Sequence, residues 1–417
     1  MKKKLVLPLL ILSGEFIYLL PYVLSRVFRP TFLDVFQLNN YQLGSLFSIY
    51  GVVALLSYIY GGVITDRYSL RKLMSSALFL TSLGGLVLAS YPSYQILQIL
   101  YGYWGFTSVF LFWGGLIKAT RLWGGNNNQG KAFGLLDGGR GIVAASMGSI
   151  GVFIFSIILT KSIESASLIE RQEAFSSVIL FSSFMVALIG LLVHIFLRNT
   201  DEKNSTTELS LNSLMNIKNV LKNESILLLM IIIMCAYMGY KVTDIYSLYA
   251  SEIMLYDEIE AAKVGALQLY LRPIVCVAIG LLAHKTKNMV LIIFGFIIML
   301  IGALIFSSGI IKSNMNFIFF LSLVILAIGT YSIRALYFAV LKEAKIPFAL
   351  TGTAVGLISV IGYSPDIFAG PIIGYLLDEN KGIIGHQYVY FMLALFSLLG
   401  LIASIRFTLK TNRVNRN

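Results

Sequence analysis

Charge is scarce in this chain. Asp, Glu, Lys and Arg make up 12% of its 417 residues, while apolar residues make up 57%. Soluble domains carry about 25% charged residues, so a water-facing globule is excluded and much of the apolar surface has to meet lipid. Cysteine is nearly absent as well. Cys235 and Cys276 both fall inside apolar runs, which implies neither a disulfide framework nor a metal site. The three histidines, His194, His284 and His386, are scattered without ligand spacing, and HExxH, G-x-S-x-G and P-loop patterns do not occur. These gaps argue against metal hydrolysis, serine acyl transfer and an internal ATP site. The expectation is a protein that is not an enzyme and holds no cofactor or metal.

Apolar runs are what the chain has in quantity. They lie near 5–28, 42–64, 73–91, 94–118, 134–160, 175–197, 225–249, 262–283, 288–309, 316–341, 348–377 and 387–408. Each is long enough for a membrane-crossing helix, which predicts an all-α membrane protein of twelve transmembrane helices. The opening MKKKLVLPLLIL imitates a secretory signal, but its apolar run continues past Glu15 to Val27 with no A-x-A site, so it reads as the first span. A formal charge of +12 would suggest nucleic acid in a soluble protein. The placement of the cations removes that partner. With the N-terminus inside, inner segments hold 21 of the 32 Lys and Arg residues, and outer segments hold Arg29, Lys161, Arg171, Lys263, Lys312 and Lys381. This positive-inside asymmetry puts both termini in the cytoplasm.

The longest polar stretch, 199–224, separates two halves, 1–198 and 225–417, of six spans each. Within it Leu214, Ile217 and Leu221 recur at helical spacing beside Lys218 and Lys222, the pattern of a short helix on the inner membrane surface or of a plain solvated linker. The halves resemble each other. GLLAHKTK at 280–287 stands where GVITDRYS at 62–69 stands in the first half, and AVGLISVIGY at 354–363 answers AFGLLDGGRG at 132–141.

Five cations, Arg26, Arg140, Lys241, Arg272 and Arg334, lie inside the spans, with Glu15, Asp137, Asp244 and Asp366. A charge at the bilayer centre costs about 3 kcal/mol on insertion scales, so each needs a partner or a wet cavity. At 100° per residue, Glu15, Tyr18, Tyr22 and Arg26 share a stripe of the first span, and Tyr237, Lys241 and Asp244 form a matching stripe on the seventh. With Arg272, Arg334 and Tyr337 they predict a basic, tyrosine-lined site for an anion. The competing expectation is that internal salt bridges consume these cations. Glu15, Asp244 and Asp366 are the candidate proton carriers or charge partners.

GGVITDRYSLRK at 61–72 resembles the loop motif of the major facilitator superfamily. Gly62, Asp66, Arg67, Arg71 and Lys72 match it, and Ser69 replaces its second glycine. The resemblance covers the whole chain and implies two six-helix bundles with the solute site between them. It also implies that Asp66 and Arg67 latch one conformer of a rocking gate. Within the superfamily, YVLSRVFRP, WGGLIKATRLW and TGTAVGLISVIGYSPDIFAGPIIGYLLD are most similar to the organophosphate:phosphate antiporter branch and to bacterial inner-membrane transporters related to it. That places its phosphate-binding arginine at Arg26. Departures are Lys118 for an arginine, Gly239 where the seventh-span arginine would fall, and Asp366 among small residues.

The resemblance implies a secondary active transporter of a small organic anion (phosphate ester, sugar acid or carboxylate) in the bacterial cytoplasmic membrane. Protons or a counter-anion would be the coupled species, the lipid bilayer the other partner, and a monomer would suffice. The alternatives are a proton-driven exporter of lipophilic compounds and a non-transporting membrane sensor.

Overall fold

In the computed structural model, residues 3–124, 129–159, 166–197, 224–283, 285–337, 340 and 358–414 are described. The described residues are helical with short connections and no strand. Helix α1 (Lys3–Phe16) resumes after a break as a π segment (Leu19–Val23) and a helical turn (Leu24–Val27), and a short helix (Arg29–Val35) follows. Next come α2 (Asn40–Arg67), α3 (Leu70–Leu88) and α4, which runs from Tyr94–Gly105 through a π segment (Phe106–Trp113) to Gly114–Gly124. Helices α5 (Gln129–Ile158) and α6 (Leu168–Phe196) complete the first group. Helix α7 (Glu224–Val242) continues through a 3₁₀ turn (Thr243–Ile245) into Tyr246–Glu252. It is followed by α8 (Glu258–Ala283), α9 (Asn288–Ser307), α10 (Asn316–Leu336), α11 (Pro365–Glu379) and α12 (Ile383–Val414).

Ten of these helices are long and apolar enough to cross a bilayer, or eleven with the bent α1 pair counted as one span. Helix α3 stands where the third span is expected. Arg71 and Lys72 in its first turn hold its hydropathy down, and it is not among the ten. Large side chains such as Ile99, Phe153, Phe184, Ile274, Phe294 and Phe317 are exposed on the outer faces of the bundle, as lipid-facing positions require.

The first span departs from the straight helix expected from its apolar run. Its two parts meet at 45°. Pro21 supplies the cause, because it has no N–H to give and its ring clashes with the carbonyl four residues earlier, at Ile17. The chain answers with wider bonds, the Val23 N–H reaching the Tyr18 carbonyl at 3.3 Å. Elsewhere local chemistry sets the ends. Ser167 and Glu170 form a reciprocal capping box at the start of α6, and Pro365 opens α11 at a position where its missing N–H costs nothing.

Buried apolar side chains form two main clusters. One draws on α1–α6 with Ala262, Ala266 and Leu269 of α8 joined to it, and the other on α7–α12. Helices α2 and α11 cross at very close range. A Cβ on Gly44 would lie 2.1 Å from the Gly370 carbonyl oxygen, so only glycine permits this approach. That crossing brings the first six helices against the last six and fixes the frame of the site.

Candidate functional site

The break in α1 redistributes the stripe read from the sequence. Glu15 and Tyr18 before the bend turn toward α5, and Tyr22 and Arg26 after it turn toward α7. Arg26, 4% exposed, donates from Nε to Asp244 Oδ1 at 2.5 Å and from Nη1 to the Tyr240 hydroxyl at 2.8 Å. Ser247 adds a bond from its hydroxyl to the Arg26 carbonyl at 2.9 Å. Asp244 sits in the 3₁₀ turn of α7, where three residues per turn bring it onto the same face as Lys241. Lys241 Nζ lies 3.5 Å from Asp244 Oδ2 and 3.4 Å from Asp366 Oδ1, over the rings of Tyr22 and Phe47. Tyr237 donates its hydroxyl to both oxygens of Asp366 at 3.0 and 3.1 Å. A cavity with room for about one water molecule adjoins Lys241 and Asp244.

A second group lies nearer the chain termini. Arg140 of α5 donates from Nε to Glu15 at 3.0 Å and reaches Asp137 at 4.0 Å, with its guanidinium over Tyr18 and Trp113. Arg272 of α8 is 3% exposed and pairs through Nη2 with Asp137 Oδ1. Arg334 differs from the rest. Its guanidinium lies 3.8 Å from the ring centroid of Tyr240 and 5.6 Å from that of Tyr237, and among the described residues no carboxylate comes within 4.0 Å of it. Its Nη1 is buried without a hydrogen-bond acceptor. Tyr337 bonds Tyr363 at 3.2 Å between hydroxyls.

Opposing pairs thus engage four of the five membrane cations, the outcome that the salt-bridge expectation describes. Ring faces hold the fifth. Each desolvated cation–π contact contributes about 2 kcal/mol, comparable with the cost of placing the charge, so the stacking keeps Arg334 in place without neutralising it. Tyr240 stands between two guanidiniums, Arg26 at 4.5 Å and Arg334 at 3.8 Å from its ring centroid. Sequence reasoning missed it. The signal was its place three residues after Tyr237 and next to Lys241, on the same turn of α7.

At the ends of the helices far from the chain termini, the two groups of six are tied together. Asp378 at the end of α11 accepts from the Asn40 and Tyr41 backbone N–H groups at 3.1 and 2.7 Å, and from the Asn40 side chain at 3.2 Å. It therefore caps α2 from the opposite group, where the helix dipole favours a negative charge. Arg29 braces the same Asn40 through Nε and Nη2. Arg171 binds Glu258 at 2.6 Å and Asp34 at 3.1 Å, and Thr31 donates to Glu258.

The loop motif lies at the other end. Helix α2 closes at Arg67 and α3 opens at Leu70, with Arg71 half-buried and Lys72 exposed. The side chains of Gly62, Asp66 and Arg67 fall outside the described residues, as do the linker helix expected near 214–222 and the start of the GTAVG element.

The Major Facilitator Superfamily model matches residues 11–370. Over 399 residues the chain is 26% identical to the inner membrane protein YqcE of Escherichia coli (strain K12), covering 94% of this chain and 91% of that one. Two solved structures share the fold. A point mutant of the nucleoside transporter NupG superposes with a TM-score of 0.74 at 13% identity, over 97% of this chain and 100% of that one. A bacterial homologue of the human lysosomal transporter Spinster, inward-facing and unoccupied, gives 0.75 at 15% identity, over 98% of each chain. With its bundle of lipid-facing helices and its buried, charge-lined centre, the chain is a multi-pass cell-membrane transporter and belongs to the Major Facilitator Superfamily.

Proposed function

We propose that this transporter moves a small organic anion, a phosphate ester, sugar acid or carboxylate, by alternating access and without an ATP site. The observation that carries the reading is the imbalance at the centre. Arg26, Arg140, Lys241, Arg272 and Arg334 face Glu15, Asp137, Asp244 and Asp366, and Arg334 is the cation among them without a carboxylate partner within the described residues. An anion from solution would complete that set, with Tyr237, Tyr337 and Tyr363 as neighbouring hydroxyls. A site for lipophilic cations would call for the opposite excess.

The two apolar clusters support a division into a bundle at 1–198 and one at 225–417, joined by the linker 199–224 and free to rock against each other. The ties through Asp378 and Glu258 hold the face away from the termini closed. The positive-inside asymmetry makes that face the outer one, so the centre is shut off from the outside. Among the carboxylates, Glu15, Asp244 and Asp366 are the groups through which proton exchange would couple to these pairs, and a counter-anion is the other coupled species that a basic site accepts. The organophosphate:phosphate antiporter branch is the family reading that fits this chemistry, with the role of its first-span arginine shared between Arg26 and Arg334.

Thermal unfolding of the purified protein against phosphate esters, sugar acids, carboxylates, nucleosides and lipophilic cations tests the reading, since a ligand stabilises the folded state by mass action. An anion is expected to raise the Tm in a concentration-dependent way. A response to nucleosides or lipophilic cations alone would overturn the proposal.

A further inference from the structure

Resting on the anion reading above, we infer that Asp137 is a built-in stand-in for the anionic group of the transported solute. It occupies the arginine site while the carrier is empty and is displaced when a carboxylate or phosphate binds. The asymmetry of its pair with Arg272 carries the inference. The Arg272 side chain is 4% exposed, whereas that of Asp137 is 36% exposed, so the cation is sunk in the wall and the anion is the reachable partner. Asp137 also lies 4.0 Å from Arg140 and within electrostatic reach of Arg334. Two arginines thus contact one carboxylate, with Arg334 beyond ion-pair distance.

Two donors in this cluster have nothing to bond. Arg272 Nε and Arg334 Nη1 are both buried without an acceptor among the described residues. Buried guanidinium donors are ordinarily satisfied, and Asp137 touches Arg272 through a single Nη2 bond. A solute carboxylate or phosphate could take the bidentate position on Arg272 and reach Arg334, completing donors that Asp137 leaves open. The α5 surface next to Asp137 is open, because a Cβ placed on Gly134 or Gly138 would meet nothing within 4 Å.

The exchange would also do mechanical work. Asp137 belongs to α5 and Arg272 to α8, so their pair links the first six helices to the last six. A solute that replaces Asp137 opens this link and favours a different arrangement of the halves, while in the empty carrier Asp137 neutralises Arg272 at membrane depth.

The test uses the full-length protein in detergent with inorganic phosphate and gluconate as probes, reading the concentration that gives half of the maximal Tm shift. Asp137→Asn removes the internal competitor, so its midpoint is expected to fall about tenfold, within the range usual for coupled sites. A neutral Asp137→Asn/Arg272→Gln double variant removes both charges of the pair together if the single variant does not fold, and it is expected to lose the response. An unchanged or higher midpoint in Asp137→Asn, or a wild-type response in the double variant, would mean a purely structural pair and would overturn the inference while leaving anion transport intact. If neither wild type nor variant responds to any anion, the anion reading fails and this inference with it.

Discussion

Arg334 differs from its neighbours by one bond. Arg26, Arg140, Lys241 and Arg272 each have a carboxylate within 4.0 Å, and Arg334 has the ring of Tyr240. Substituting Arg334→Gln is therefore expected to leave the fold intact, with a Tm within a few degrees of wild type, while removing the anion response. Lys241→Ala should behave in the opposite way, because it leaves Asp366 with Tyr237 alone and costs about 3 kcal/mol, the lower end for breaking a buried pair. A large drop in Tm, partly recovered in Lys241→Ala/Asp366→Asn, is the expected result. Tyr240→Phe keeps the ring between the two guanidiniums and loses the hydroxyl that Arg26 uses, a loss of about 1 kcal/mol. Tyr240→Leu removes both, and its Tm should fall further. Equal Tm values for the two variants would show that the ring contributes nothing.

At the scale of elements, the apolar runs located nearly every helix, because spanning length and hydropathy are local properties of the sequence. What they did not reveal are the breaks. Pro21 was visible in the sequence, but a run of lipid-compatible residues around it favoured one continuous span, and the 45° bend that sends Glu15 to α5 and Arg26 to α7 depends on what each half-helix packs against. The cap that Asp378 places on α2 was equally hidden, since donors and acceptor lie more than 300 residues apart. That cap yields a substrate-free prediction. In a background lacking Cys235 and Cys276, a cysteine at Ser247, fully buried beneath this face, should react faster with a membrane-impermeant maleimide added from outside once Asp378→Asn is introduced. An unchanged rate would show that the cap does not hold the face closed.

Across the whole molecule, charge bookkeeping and pairing part company. Composition alone gave the membrane class, and the five cations and four acids inside the spans could be named from the sequence, together with the alternative that salt bridges consume the cations. Which acid meets which cation could not, because Arg26 reaches across 218 residues to Asp244 and Arg272 across 135 to Asp137. These two pairs join the first six helices to the last six, so under the proposed alternating access they are the central contacts that would have to be exchanged. Uptake into proteoliposomes is the most direct measurement of that claim. An anion that stabilises the purified protein should accumulate in vesicles carrying the wild-type transporter and fall at least tenfold in vesicles carrying equal amounts of folded Arg334→Gln. Undiminished uptake by Arg334→Gln would contradict the account.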